Sequence, residues 1–409
     1  MKWVIYILVS VYSLSSFSQF QQHYNNSKYY ISSNLDSALY FADSATLNAV
    51  TFEEKGKAYY LRGYIYEKKT NFIRAFYDFN ESLAFYESVD GFEIEVSSTL
   101  QHIGIVFLRT KNKNAIDVLK KSIAKKEEIN DTESIYRTKR ILAEAYKNEG
   151  IYDSAIIVLD DVFEYYKKQG NYYYQAYCYF DLGNVLLARG DYKLAVDNFN
   201  KSYEVLQNAK KEEYRLKSRI LNNIGWGMYS MDQFDQALNQ YHKSLRLQKQ
   251  RVVIDSSNYM ITLVNLARCH SAVNSIDSAM YYYKEVIDAG YKHGDEIINS
   301  YINMAELFET KTMYDSSTYY YKVGVDLLKK KKIQKAEMEE EFNELYTQLL
   351  LNRTSPNQDN RILILYSSLL VLGFGSLITI TYVRRKRKKL ISNSLSKVRR
   401  LNIIDEFGG

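Results

Sequence analysis

The sequence predicts an all-α protein built as a solenoid of about eight helix-turn-helix repeats, followed by one C-terminal transmembrane helix. Three observations carry this. Proline occurs once in 409 residues, at Pro356, so the commonest helix breaker is missing from the body. Small residues recur at Ala38, Ala75, Ala115, Ala155, Ala195, Ala237, Ala279 and Ser317, at steps of 37 to 42. An uncharged run of 22 residues closes the chain's apolar inventory at 362–383.

The chain opens with MKWVIYILVSVYSLSSFSQ. Lys2 supplies a positive start, Trp3 to Leu14 an apolar core, and Ser16 and Ser18 the small residues of a cleavage site. Residues 1–18 are therefore expected to be a secretory signal peptide and to take no part in the fold.

The repeats are expected over 19–326. Twelve residues before most of the recurrent small residues stands another: Gly63, Ala143, Gly183, Gly225, Ala267 and Ala305. Gly104 precedes Ala115 by eleven, which shortens that repeat's turn by one residue. Apolar positions fall at intervals of three, four and seven, as on helix faces, for instance Leu182, Leu186, then Ala195 and Phe199. Gly150 and Gly190 close first helices. Small residues let the helices of a pair approach closely, and the Tyr, Phe and Leu positions fill the space between pairs. One pair cannot bury its apolar face alone, so the pairs stack. Tyrosine, at 40 residues, belongs mostly to that packing, with hydroxyls reaching water or carbonyls.

Residues 327–353 read as a charged helix in which Phe342, Leu345 and Leu349 recur at three and four. This suits either a short coiled-coil stalk, through which the chain would form a homodimer, or a polar cap on the last repeat. Residues 354–361 are a polar linker. Residues 362–383 make a helix of about 30 Å, enough to cross a bilayer. The tail, 384–409, begins with six consecutive basic residues, whereas Arg361 alone stands before the span. Basic flanks stay inside, so the body is expected outside the cytoplasmic membrane, in the periplasm, and the C-terminus in the cytoplasm. The basic cluster serves either as a stop-transfer signal or as a contact for anionic headgroups.

The net charge of +6 sits in the tail, which holds nine Lys/Arg and two Asp/Glu; the body is close to neutral. That disfavours nucleic acid as a partner of the solenoid. Cys178 and Cys269 lie about ninety residues apart and read as half-buried helix positions. The five histidines form no metal motif, and His270 falls at a core-facing position. Asp160-Asp161 and Glu339-Glu340-Glu341 read as solvated helix faces. Phosphate loops, nucleophile elbows and kinase signatures are missing, so neither catalysis nor a cofactor is expected.

The pattern Leu182-Gly183 and Leu186, then Gly190, Tyr192, Ala195 and Phe199, repeated as Ile224-Gly225, Met228, Phe234, Ala237 and Tyr241, resembles the tetratricopeptide repeat. The resemblance covers roughly 20–330. It departs from the family in lacking the closing proline and in a period near forty, which is similar to the extended repeats of some bacterial sensor and peptide-receptor proteins. It implies a right-handed solenoid whose concave groove, lined by each pair's first helix, docks a peptide or protein segment. Carried onto this sequence, the family's groove positions are Arg137, Arg140, Asn184, Asn222, Trp226, Tyr229 and Arg268. The order of signal peptide, repeats, stalk and membrane helix also resembles the sensor half of bacterial histidine kinases and membrane-tethered transcription regulators. The 26-residue tail is too short for their output domains, so output is expected to be lost or supplied by a partner.

Overall fold

The computed structural model describes residues 18–209, 213–250, 256–289 and 294–354. The expected membrane helix at 362–383, the basic tail and all but the last residue of the signal peptide lie outside them. Among the described residues no helix is long and apolar enough to cross a membrane.

Sixteen helices and no strand occur among these residues. They form eight pairs: α1 (18–30) with α2 (Leu35–Asn48), α3 (Phe52–Lys68) with α4 (Phe72–Glu87), and α5 (Glu93–Arg109) with α6 (Ala115–Glu128). Next come α7 (Thr132–Asn148) with α8 (Tyr152–Lys168), α9 (Tyr172–Arg189) with α10 (Tyr192–Gln207), and α11 (Tyr214–Tyr229) with α12 (Phe234–Lys249). The last are α13 (Ser256–Ala272) with α14 (Ile276–Asp288), and α15 (Asp295–Thr310) with α16 (Tyr314–Thr354). Most contacts between the described helices join ones that are one or two places apart in the chain. The chain divides into two compact units between Asn343 and Glu344; the stack belongs to the first, and the described part of the second is the helical end of α16. α16 thus runs unbroken through the boundary at 326/327 that composition suggested.

The helices begin where polar side chains satisfy their free N–H groups. Asn34, Asn71, Asp131 and Asn171 each accept from backbone N–H groups at the starts of α2, α4, α7 and α9. Thr51 and Glu54 form a reciprocal capping box at the start of α3.

In six of the eight pairs the first helix is followed by a residue with positive φ, five residues before the small residue of the next helix: Thr70, Gly150, Gly190, Asp232, Asn274 and Thr312. In the third pair the residue is Lys111, four before Ala115. There α6 starts at Ala115 itself, whereas α4, α8, α10 and α12 start three residues before theirs. Asn112 fills the gap by accepting the Asn114 N–H through its side chain at 2.9 Å.

The recurrent Ala and Ser317 are all 5% exposed or less. Four residues on stand Phe79, Leu119, Leu159, Phe199, Tyr241 and Tyr283, all buried. The side chains of Phe79, Leu119, Phe199 and Tyr241 lie over Gly63, Gly104, Gly183 and Gly225 of their first helices. A Cβ on Gly183 would stand 2.6 Å from the Phe199 ring, and one on Gly225 equally near Tyr241.

A hydrogen bond repeats with the fold. Ser82, Ser122, Ser202 and Ser244, each seven residues beyond the recurrent Ala, donate to the carbonyls of Gly56, Ser97, Ala176 and Ser218 near the starts of their partner helices. The bonds are 2.6–2.9 Å long and buried. Both cysteines are fully buried rather than half-buried. The tyrosine expectation holds for Tyr152, which donates to the Ala188 carbonyl, but the buried hydroxyls of Tyr166 and Tyr241 have no partner.

Candidate functional site

The first helices α5, α7, α9 and α11, with Leu159 of α8, carry the residues of a cavity of about 550 Å³. Its charged lining comprises Arg109, Arg137, Arg140, Lys147 and Arg219 against Glu144 and Asp181, with Gln101, Asn184, Tyr174, Tyr177 and Phe180 beside them. The register explains the gathering. Arg137, Tyr177 and Arg219 each stand six residues before the small residue of their first helix, and Gln101, Arg140 and Phe180 three before it. Stacking successive first helices aligns equal registers into rows.

Arg140 is held from two sides. Its Nε and Nη2 donate to one Asp181 oxygen at 2.8 and 2.7 Å, and its guanidinium lies 4.6 Å from the centre of the Tyr177 ring. Burial raises the Asp181 carboxyl above its ordinary value in spite of Arg140. Burial opposes the Arg140 charge, yet Asp181 holds its value above normal. Arg140 is thus committed within the wall. Arg109 pairs with Glu144 at 3.1 Å, and Arg137 pairs with Glu133 on its own helix. Arg137 and Arg219 are exposed, and the Arg219 guanidinium rests 4.8 Å from the Phe180 ring centre. The site therefore offers planar cations and aromatic faces together, suited to carboxylates and apolar side chains at once.

The seven residues expected in the groove divide. Arg137, Arg140 and Asn184 line this cavity. Asn184 also accepts from Asn223 Nδ2 of the next repeat at 2.7 Å. Asn222 is buried and accepts from Asn265 Nδ2 at 3.3 Å, so it ties two repeats together. Trp226, Tyr229 and Arg268 form a second cluster: the Trp226 and Tyr229 rings stack with centroids 5.4 Å apart, and the Arg268 guanidinium lies 5.9 Å from the Trp226 ring centre. Arg219, Arg109, Tyr174 and Tyr177 were not anticipated, although Arg219 shares the register of Arg137.

His270 stacks on Tyr282 at 5.5 Å and its buried Nδ1 has no partner; burial lowers its basicity, with His242 adding to the effect. Among the described residues no cluster of three or more His, Cys, Asp or Glu is arranged to hold a metal ion.

A family model described as tetratricopeptide repeat matches residues 131–208 and 186–250, the stretch that builds most of this cavity. No curated protein matches the chain in sequence. Several solved structures share its fold. A Rap protein complexed with competence and sporulation factor superposes with a TM-score of 0.53 at 16% identity, covering 74% of this chain and 81% of that one. The apo form of RapI gives 0.53 at 13% identity, covering 80% and 98%. A signal transduction ATPase with numerous domains from Pyrococcus horikoshii, which has a tetratricopeptide repeat sensor, gives 0.55 at 14% identity over 75% of this chain; the match spans 47% of that longer protein. Residues 131–250 thus match the tetratricopeptide-repeat family model, and the helix pairs and their registers carry a tetratricopeptide-like fold through the described stack.

Proposed function

We propose that the chain is a non-enzymatic, membrane-anchored interaction module whose stack binds a peptide or protein segment through the α5–α11 cavity. The observation that carries this is the lining itself. Exposed Arg137 and Arg219 flank aromatic faces and the Asn184 amide, beside an Arg140–Asp181 pair that is already satisfied. Five cationic side chains against two carboxylates favour a ligand with an acidic group. The Rap structure, solved with a competence and sporulation factor, supports the same use of the fold.

The experiment is selection of a displayed random-peptide library on residues 19–353. Selected peptides should weaken about tenfold or more on Arg137→Glu with Arg219→Glu, the scale of losing one or two charge-assisted contacts. Arg140 is unsuitable for this purpose, because reversing it leaves Asp181 unpaired. Peptides that bind the double variant as well as the parent would remove the cavity from the proposal.

A second reading is a sensor component whose output domain is supplied by a partner. It is favoured by the likeness to a protein bearing a tetratricopeptide repeat sensor and by the unbroken run of α16 to Thr354. A kinase or DNA-binding coding sequence immediately downstream would select this reading over a passive scaffold. The membrane topology, body outside and tail inside, is tested by reporters fused after Arg353 and after Gly409. Activity of a periplasmic reporter at the second position would reverse it.

A further inference from the structure

Contacts in the stack are local, as expected where each repeat touches its neighbours. Phe342 departs from that rule. Lys331 of α16 still pairs with Asp295 at the start of α15. From Lys332 to Glu341 every residue of α16 is exposed. Phe342 is then 3% exposed. Its ring centre lies 4.7 Å from that of Phe76 in α4 and 5.8 Å from that of Phe107 in α5. Phe76 and Phe107 are themselves 5.3 Å apart. Among the described residues, three rings from the second, third and eighth pairs thus meet in one cluster.

We propose that α16 is an intramolecular latch, in which Phe342 docks on the Phe76–Phe107 seam and ties the eighth pair to the second and third. The eleven helical steps from Lys331 to Phe342 extend about 16 Å, so α16 reaches past the end of its partner helix to make the contact. The preceding turns carry Lys332, Lys335, Glu339, Glu340 and Glu341, all solvated, so the aromatic side chain is the anchor of that stretch. The docked end also bears on the cavity. Phe107 and Arg109 share the last turn of α5, and Arg109 stands in the cavity wall, paired with Glu144. Seating Phe342 fixes that turn, and releasing it frees the turn to move. The latch stands on ring geometry and burial, whatever the cavity binds.

The test uses the full-length chain. With p-benzoylphenylalanine in place of Phe342, irradiation should give cross-links within one chain, mapping to peptides of α4 or α5. Cross-links to other helices, or between chains only, overturn the latch. Hydrogen exchange on Phe342→Glu supplies the second measurement. Amides of α4 and α5 should exchange about tenfold faster or more, while α9 to α12 keep parental rates. Unchanged exchange in α4 and α5 overturns the proposal, and so does a uniform rise in every helix, because among the described residues the rings that Phe342 meets lie in α4 and α5.

Discussion

Replacing Lys126 by glutamine should stabilise the stack at neutral pH, and the gain should fade as pH rises. Lys126 is 2% exposed, and its ammonium donates to Thr138 Oγ1 at 2.7 Å and to the Gln101 side-chain oxygen, both neutral partners. Burial pulls the amine down to about 8, against a smaller opposing pull from Asp131. The folded state therefore holds the proton less tightly than the unfolded chain, whose lysine titrates near 10.4. Below about pH 8 the full penalty applies, and it disappears as pH climbs through the unfolded value. The shift corresponds to about 3 kcal/mol, which residual solvent screening reduces to about 1–2 kcal/mol. Glutamine is the right replacement because Gln248 occupies the same register three helix pairs further on, eleven residues beyond the recurrent Ala. It donates to Thr262 Oγ1 and Ser244 Oγ at 2.9 and 3.0 Å. Urea unfolding of residues 19–353, followed by far-UV circular dichroism, should show the variant about 1–2 kcal/mol more stable at about pH 7, with the gain at least halved at about pH 9.5. A variant no more stable at neutral pH, or one whose advantage ignores pH, would refute the reasoning.

Three other substitutions probe the same architecture. Gly183→Ala drives a methyl to 2.6 Å from the Phe199 ring and should cost about 1–3 kcal/mol despite alanine's better helix propensity; a stabilised variant would mean the pair separates freely. Thr70→Gly relieves a β-branched residue at φ 58° and should raise the melting temperature by a few degrees, on the order of 1 kcal/mol, whereas a lower melting temperature would show that the Thr70 side chain stabilises the turn. Arg62→Met removes both bonds to the buried Asp78 carboxylate, at 2.8 and 2.7 Å, and should cost about 3 kcal/mol in urea unfolding; a loss below about 1 kcal/mol would show that Asp78 simply takes up a proton.

The repeat was readable because its strongest constraint is steric. Only glycine lets Phe199 or Tyr241 lie so close across a neighbouring helix, and a small residue returns at that position in the second to eighth pairs. The turn signal was readable only in part. Gly150 and Gly190 mark the left-handed position openly, but Thr70, Lys111, Asp232, Asn274 and Thr312 adopt it too, held there by the helices on either side. The candidate site was least readable, because its chemistry depends on pairings between repeats. Arg140 was expected to face a ligand, yet Asp181, 41 residues away, takes it up. Asn222 was expected in the groove, yet it accepts from Asn265 across the next interface. The serine row at 82, 122, 202 and 244 was not anticipated, because its role rests on carbonyl partners 25 or 26 residues away.

The three-ring cluster at Phe342 changes how the stack would bear a load. A row of helix pairs joined only to neighbours yields to tension one pair at a time from whichever end is pulled. Here a pull on the chain beyond α16 meets the Phe76–Phe107 seat before it can peel α15 from α16. Force applied at one end of the array is thus delivered near the other. The molecule should respond to stretching with one early break, followed by the graded unravelling of an ordinary spring.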